Sequence, residues 1–68
     1  MKVTYINPNL APNDTEFVMN NVAEIKSERV NRFDVEYDIM TCIKTENGQT
    51  TYTELDLLGD TKIIIERN

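Results

Sequence analysis

Carboxylates are the residue type in this sequence whose number and spacing could do chemistry. Five of them occupy alternate positions in two segments rich in β-forming residues: Asp34, Glu36, Asp38, Glu54 and Asp56. Alternate residues of a strand share one face and lie about 6.6 Å apart. Such a patch could bind a basic protein surface or imitate nucleic-acid phosphates. It could also hold a divalent cation around Asp38 and Asp56, or act only as a solvated face.

Residues suited to catalysis are scarce. The sequence contains no histidine, which removes the commonest general base and every Ser–His or Cys–His pair. Its two glycines fall at predicted turns, so no phosphate-binding loop is present. Cys42 has no activating neighbour and is interpreted as a small packed residue. We therefore expect no enzymatic activity, no catalytic residue, no cofactor and no metal-binding motif.

Length and charge narrow the classes of partner. The 68 residues predict a single domain, 1–68, with a core so small that self-association could supply part of its stability. One unpaired cysteine and no signal-peptide pattern indicate the cytoplasm. A net charge of −5 disfavours nucleic-acid phosphate and anionic membranes as partners. The longest strictly apolar run, residues 63–65, is too short to span a membrane.

The first half of the chain is partly ambiguous. Residues 2–6 alternate between β-forming side chains and predict a first strand. For the following segment we favour two strands, 16–19 and 22–30, separated by a turn at Asn20-Asn21. The alternative is one helix at about 14–27, capped by Asn13.

A long hairpin is the clearest pattern in the sequence. From Phe33 to Ile43 every second residue suits a buried face, and Asn47-Gly48 signals a turn before a returning strand. A two-residue loop would pair Glu46 with Gln49 and bring carboxylates onto the apolar face. A three-residue loop with Gly48 as a bulge residue would pair Thr45 with Gln49.

The apolar match favours the bulged register. It sets Ile39 opposite Leu55, and a slip of one residue would exchange the two faces of the strand. In this register the five carboxylates share one outer face, with Asp38 opposite Asp56. We therefore predict the bulged turn, and with it the acidic patch.

A final strand at residues 61–67 completes the predicted fold. Ile64 points to one face and its two isoleucine neighbours to the other, which indicates a strand covered on both sides by a rolled sheet or a second subunit. The mixed charges at residues 24–32 suit an edge strand. We predict a mainly β fold, a small antiparallel β-meander of four to five strands curled into a roll or partial barrel. The alternative is α+β, with the helix at about 14–27 packed on a three- to four-stranded sheet.

Four segments carry a resemblance: MKVTYIN, NVAEIKSE, GQTTYTELDLL and KIIIE. In these the chain resembles the small uncharacterised accessory proteins of phages and prophages of Gram-positive bacteria. The resemblance contains no diagnostic motif and implies no catalytic residue. It implies a class of function, in which a small protein acts by binding a host or phage factor.

These observations lead to a leading hypothesis and two alternatives. The leading hypothesis is a non-enzymatic protein-interaction module that binds or inhibits a basic factor through the five carboxylates. The first alternative is a structural or assembly protein that self-associates through sheet edges. The second is weak nucleic-acid binding, for which Tyr52 is the fairest stacking residue.

Overall fold

Six β-strands in two antiparallel sheets form the described chain. The computed structural model describes residues 1–9 and 16–67. The strands are β1 (Lys2–Ile6), β2 (Glu16–Met19), β3 (Glu24–Arg32), β4 (Val35–Glu46), β5 (Gln49–Leu57) and β6 (Lys62–Glu66). One sheet has the order β2–β1–β6 and the other β3–β4–β5. The prediction of a mainly β antiparallel fold is confirmed, with six strands instead of four or five. The described strands form no closed barrel.

The ambiguous first half is extended wherever it is described. Residues 16–19 and 24–32 are strands, and Asn21 lies between them with φ of 60°. The helix alternative is therefore wrong for these residues, since asparagines and β-branched side chains are weak helix formers. The suggested cap, Asn13, and the proline-containing loop around it lie outside the described residues.

The β2–β1–β6 sheet turns one face towards the core. Val3 pairs with Met19 of β2 and with Ile65 of β6. Tyr5 pairs in the same way with Phe17 and Ile63. Because directly paired residues point to the same side of a sheet, these side chains share the face that packs against the second sheet.

The β3–β4–β5 sheet is a meander joined by two tight turns. Asn47 and Gly48 have φ of 52° and 78°, and Phe33 and Asp34 have φ of 55° and 61°. Two successive positive φ angles are what a two-residue type I′ hairpin turn requires. Both hairpins are thus closed by two residues.

The predicted bulged register of β4 and β5 is wrong. Glu46 pairs with Gln49, so the loop has two residues, and Ile39 lies opposite Asp56. Asn47-Gly48 meets the backbone demand of a two-residue turn without strain. This local preference prevails because β4 carries apolar residues on both faces, which makes the apolar match a poor guide to register.

The core lies against the face of β4 that the pattern assigned to solvent. Cys42 is 1% exposed and Leu55 7%, and both pack with Val3, Tyr5 and Val22, while Met40 packs against this cluster. Burial of these side chains is the main stabilising term of the fold. Ile39 lies on the face of β4 opposite to Cys42, and we call this the outer face of the sheet.

The outer face is covered by side chains of its own sheet. Ile39 is only 1% exposed. The guanidinium of Arg32 on β3 contacts the carboxylate of Glu54 on β5 at 2.5 Å. This ion pair joins the strands on either side of β4, so it crosses β4 between the levels of Val35 and Thr41. Tyr37 and Ile39 lie on β4 between these two levels, beneath the ion pair.

Hydrogen bonds fasten the two sheets to each other. The Tyr5 hydroxyl donates to the Asp56 carbonyl oxygen at 2.8 Å. The Met1 ammonium donates to the Val22 carbonyl oxygen at 2.9 Å, and the Val22 amide donates back to Met1 at 2.9 Å. These contacts tie β1 to the segment before β3 and to the end of β5.

The last strand is covered on one side only within the protomer. Ile63 is half-buried against the core cluster. Ile64 points to the other face of its sheet and is 47% exposed, and Ile65 is 45% exposed. The expected cover on both sides is therefore not provided by the described chain itself. Among the described residues no helix is long and apolar enough to cross a membrane.

Candidate interaction site

The structure separates the five candidate carboxylates. Asp38 pairs with Leu57, and its side chain lies on the side of β4 that bears the core residues, as does that of Glu36. Glu54 and Asp56 lie on the outer face, opposite Thr41 and Ile39. Asp34 belongs to neither set, because it lies in the turn between β3 and β4. The single acidic patch followed from the bulged register and is absent along with it.

The divalent-cation hypothesis depends on the same register. It requires Asp38 and Asp56 to face each other, whereas their side chains point to opposite faces of the sheet. Within residues 1–9 and 16–67, no three potential metal ligands come together. The structure therefore offers no shared oxygen site at these two residues.

Arginines of β3 contact three of the five carboxylates. Arg29 lies 3.2 Å from Asp38 and 3.9 Å from Glu36, and Arg32 contacts Glu54. Two hydrogen bonds raise the pKa of Arg32 above its ordinary value. The bond to Glu54 has the larger effect and the bond to Tyr37 the smaller one. Exposed ion pairs of this kind contribute little to stability, because solvent screens them. They reduce the negative field along the sheet.

The β3–β4 hairpin continues beyond its pairing with β5 and bends back over the outer face of the sheet, where Arg32 meets Glu54. The last pair between β4 and β5 is Asp38 with Leu57, whereas β3 and β4 continue to the pair Arg32 and Val35. Residues 30–37 therefore form a two-stranded ribbon with no third strand beside it. We call these residues the arm. A ribbon of two strands gains little stability of its own.

A fully exposed aromatic side chain occupies the tip of the arm. Phe33 is 99% exposed and has φ of 55°. A bulky residue with positive φ is a genuine outlier, because its Cβ crowds the neighbouring carbonyl oxygen. The equivalent positions of the other hairpin turn are Asn47 and Gly48, the pair that this geometry favours. Phe33 thus lies where local stability favours another residue and where it buries almost no surface.

The chemistry of the tip combines an apolar ring with charge. Asp34 follows Phe33 in the turn, and among the described residues no cation lies within ion-pair distance of its carboxylate. Val35, next along β4, is 50% exposed. The tip therefore presents apolar surface beside the Asp34 carboxylate, with Glu36 further along the arm and Asp38 just beyond its base.

Two open depressions among the described residues adjoin titratable or aromatic side chains. One, of about 360 Å³, is lined by Phe17, Met19, Val22, Cys42, Lys44 and Thr53, with other residues of β2, β4 and β5. Burial raises the pKa of the Cys42 thiol, which keeps it protonated at neutral pH and poorly nucleophilic. The Lys44 ammonium forms an ion pair with the Glu46 carboxylate at 3.1 Å. The other depression, of about 240 Å³, lies on the outer face beside Tyr52.

Sequence reasoning missed Phe33 as a site residue because it placed this residue at the start of the long strand. A usable signal was present in the charges. Arg29 and Asp38 are spaced symmetrically about residues 33 and 34, as opposite charges are when they face each other across a two-residue turn. Comparisons with protein-family models, curated proteins and solved structures found no match.

Proposed function

We propose that this protein is a non-enzymatic, cytoplasmic interaction module that binds a protein partner through the tip of its arm. The observation that carries the proposal is Phe33, fully exposed in a backbone conformation that its side chain disfavours. Residues that lower stability without packing in the folded chain are characteristic of functional sites. The cytoplasmic assignment is supported by Cys42, a buried free thiol.

Burial of Phe33 in a partner would contribute substantially to the free energy of binding. Moving a phenylalanine side chain from water into an apolar pocket contributes about 1.5–3 kcal/mol. The backbone strain is already present in the free protein, so binding need not generate it. Aromatic side chains inserted into pockets are the usual hot spots of protein interfaces. The partner that fits has an apolar pocket about the size of one aromatic ring.

Charge on the arm favours a partner with a basic rim around that pocket. No described cation pairs with the Asp34 carboxylate at the tip, and the chain carries a net charge of −5. Glu36 and Asp38 share the arginine Arg29 and remain exposed. Complementary charge at the rim of an interface accelerates association and excludes wrong partners. The proposal therefore retains three of the five carboxylates and gives them a supporting role around Phe33.

A pull-down with matched variants tests the proposal. Wild-type protein immobilised as bait should capture a discrete protein from lysate of the source cells. Phe33→Ser should lose that protein, and Tyr52→Ser should keep it, because Tyr52 is an exposed aromatic residue (68%) that is not part of the arm. Asp34→Asn should weaken capture at low salt and have less effect at high salt. Capture that survives Phe33→Ser would refute the proposed site.

Self-association is the second candidate function, and a different part of the molecule favours it. Val18 of β2 and Ile64 of β6 are 40% and 47% exposed, although each pairs with the central strand β1. An exposed apolar row of this kind is characteristic of assembly surfaces. The edge strands β2, β6, β3 and β5 also remain unpaired on one side within the described chain.

A further inference from the structure

The far end of the β4–β5 hairpin, at residues 44–51, is a second two-stranded ribbon. The last pair between β3 and β4 is Glu24 with Ile43, so beyond Ile43 β4 and β5 pair, among the described strands, only with each other. Residues 45–52 are all exposed, so burial does not hold this end in place. A ribbon of two strands has little stability of its own, and its end opens locally at low cost. The turn Asn47-Gly48 lies at that end.

Asn47 and Gly48 together carry the groups of a spontaneous reaction. Asparagine is one of the chemically labile side chains of proteins. Its amide carbon, Cγ, is an electrophile with ammonia as the leaving group. The backbone nitrogen of Gly48 is the nucleophile, and the ring that joins this nitrogen to Cγ has five members. Glycine favours the ring closure, because it has no Cβ to shield its nitrogen.

Both reacting groups are accessible in the described turn. Within residues 1–9 and 16–67, neither the Asn47 side-chain amide nor the Gly48 N–H makes a hydrogen bond. A Cβ placed at Gly48 would have no atom within 4 Å, so the space beside the nucleophile is open. Ring closure needs a rotation about the Cα–C bond of Asn47, and fraying of the hairpin end permits that rotation.

We propose that Asn47 is a site of spontaneous deamidation, which converts it to aspartate and isoaspartate. The Gly48 nitrogen forms a bond to Cγ of Asn47 as the bond from Cγ to Nδ2 breaks, and the proton that Gly48 loses leaves with ammonia. Water then opens the resulting succinimide ring at either carbonyl. Addition at Cγ gives aspartate, and addition at the backbone carbonyl carbon gives isoaspartate. The reaction consumes one water, releases one ammonia and transfers no electrons.

The two products have different effects on the hairpin. Aspartate keeps the normal backbone and tolerates positive φ, so it retains the turn and adds one negative charge beside Glu46. Isoaspartate routes the chain through Cβ and Cγ, which lengthens the backbone by one carbon. A two-residue hairpin turn depends on its backbone angles, so this extra carbon disrupts the geometry that pairs Glu46 with Gln49. Isoaspartate at residue 47 therefore loosens the turn that fixes the register of β4 and β5.

Asn21 is a matched control within the same chain. It is exposed and has φ of 60°, close to the 52° of Asn47. The next residue, Val22, is 2% exposed, and its N–H donates to the Met1 carbonyl oxygen at 2.9 Å. The Val22 nitrogen can attack only when that hydrogen bond breaks and the side chain leaves the core, which slows the reaction at Asn21 by about tenfold or more.

Ageing the full chain at mildly alkaline pH tests the proposal. Peptide mapping by mass spectrometry should show the change from amide to acid at residue 47, with Asn21 slower by about tenfold or more. Fragmentation by electron transfer should identify isoaspartate among the products. Asn47→Asp is the variant control, and its peptide containing residue 47 should keep its mass, because that residue has no ammonia to lose. An Asn47 that keeps its amide, or that reacts no faster than Asn21, would overturn the proposal.

The stability of the separated products is the second test. Anion exchange separates the deamidated chains, which carry one negative charge more than the original −5, and reversed-phase chromatography then separates aspartate from isoaspartate. The isoaspartate form should unfold at a lower urea concentration than fresh protein, whereas Asn47→Asp should unfold close to the wild type. An isoaspartate form as stable as fresh protein would refute the inferred effect on the hairpin. The inference is independent of the arm, so Phe33→Ser should deamidate at Asn47 at the wild-type rate.

Discussion

Replacing the tip of the arm by the turn dipeptide of the other hairpin should stabilise the protein while removing its proposed site. The change is Phe33→Asn together with Asp34→Gly. Both residues have positive φ, which costs an ordinary side chain about 1–2 kcal/mol and costs asparagine and glycine much less. Phe33 is 99% exposed, so its removal forfeits almost no packing.

The expected gain is about 1–2 kcal/mol for the two substitutions together. Aspartate already tolerates left-handed backbone better than phenylalanine does, so most of this gain should come from position 33. For a domain of this size, each kcal/mol moves the melting temperature by about 4–8 °C. Thermal unfolding followed by circular dichroism, with urea unfolding as a second measure, resolves such a shift.

The reverse exchange is the matched control. Asn47→Phe with Gly48→Asp should lower stability by a similar amount at the β4–β5 turn. No atom lies within 4 Å of a Cβ added at Gly48, so the loss there comes from backbone conformation and not from a clash. If the graft at residues 33 and 34 leaves stability unchanged or reduces it, while the reverse exchange destabilises, then Phe33 stabilises the folded chain. Phe33 would then owe its presence to folding and not to binding.

Three further predictions concern the sheet and its core. Ile39→Ala should cost about 2–4 kcal/mol, because Ile39 is 1% exposed, whereas Val35→Ala on the same face should cost well under half of that, since Val35 is 50% exposed. Equal losses in urea unfolding would mean that the outer face is open over Ile39. Thr53→Cys should form a disulfide with Cys42, its direct cross-strand partner, as paired Cα atoms lie within disulfide range. Tyr52→Cys should not, and a non-reducing mass measurement that finds the opposite would restore the bulged register. Burial raises the pKa of Cys42, so the protonated thiol is favoured in the folded state, and stability should fall as pH rises above the ordinary thiol value of about 8.5. This extra fall should be missing from Cys42→Ala, and parallel stability curves for the two proteins from pH 7 to 10 would contradict it.

The strands could largely be predicted from the sequence. Residues 2–6 and 16–19 were assigned to strands with the bounds that the structure shows. These assignments rest on alternation and on residues that favour extended backbone, which are properties of short stretches of chain. The lack of histidine is likewise visible without a structure.

The candidate site could not be predicted in the same way. Its position on the sheet depended on one register, and a one-residue error moved Glu54 and Asp56 to the opposite face from Asp38. The exposure of Phe33 could not be predicted, because a phenylalanine beside alternating residues is usually part of a strand. Its place in a two-residue turn is decided by the pairing of β3 with β4 over nine residue pairs.

By itself the sequence determined where the chain is extended and that Asn47-Gly48 closes a turn, because backbone preferences act over a few residues. Tertiary structure alone decided which side of β4 faces the core. Apolar residues lie on both sides, and the choice followed from the packing of Cys42 against β1 and from the Arg32–Glu54 pair that covers Ile39. Tertiary structure also decided that β6 pairs with β1, which places Lys2 directly opposite Glu66 in the sheet. Contacts between residues so far apart in sequence are set by the free energy of the whole fold, which no short segment encodes.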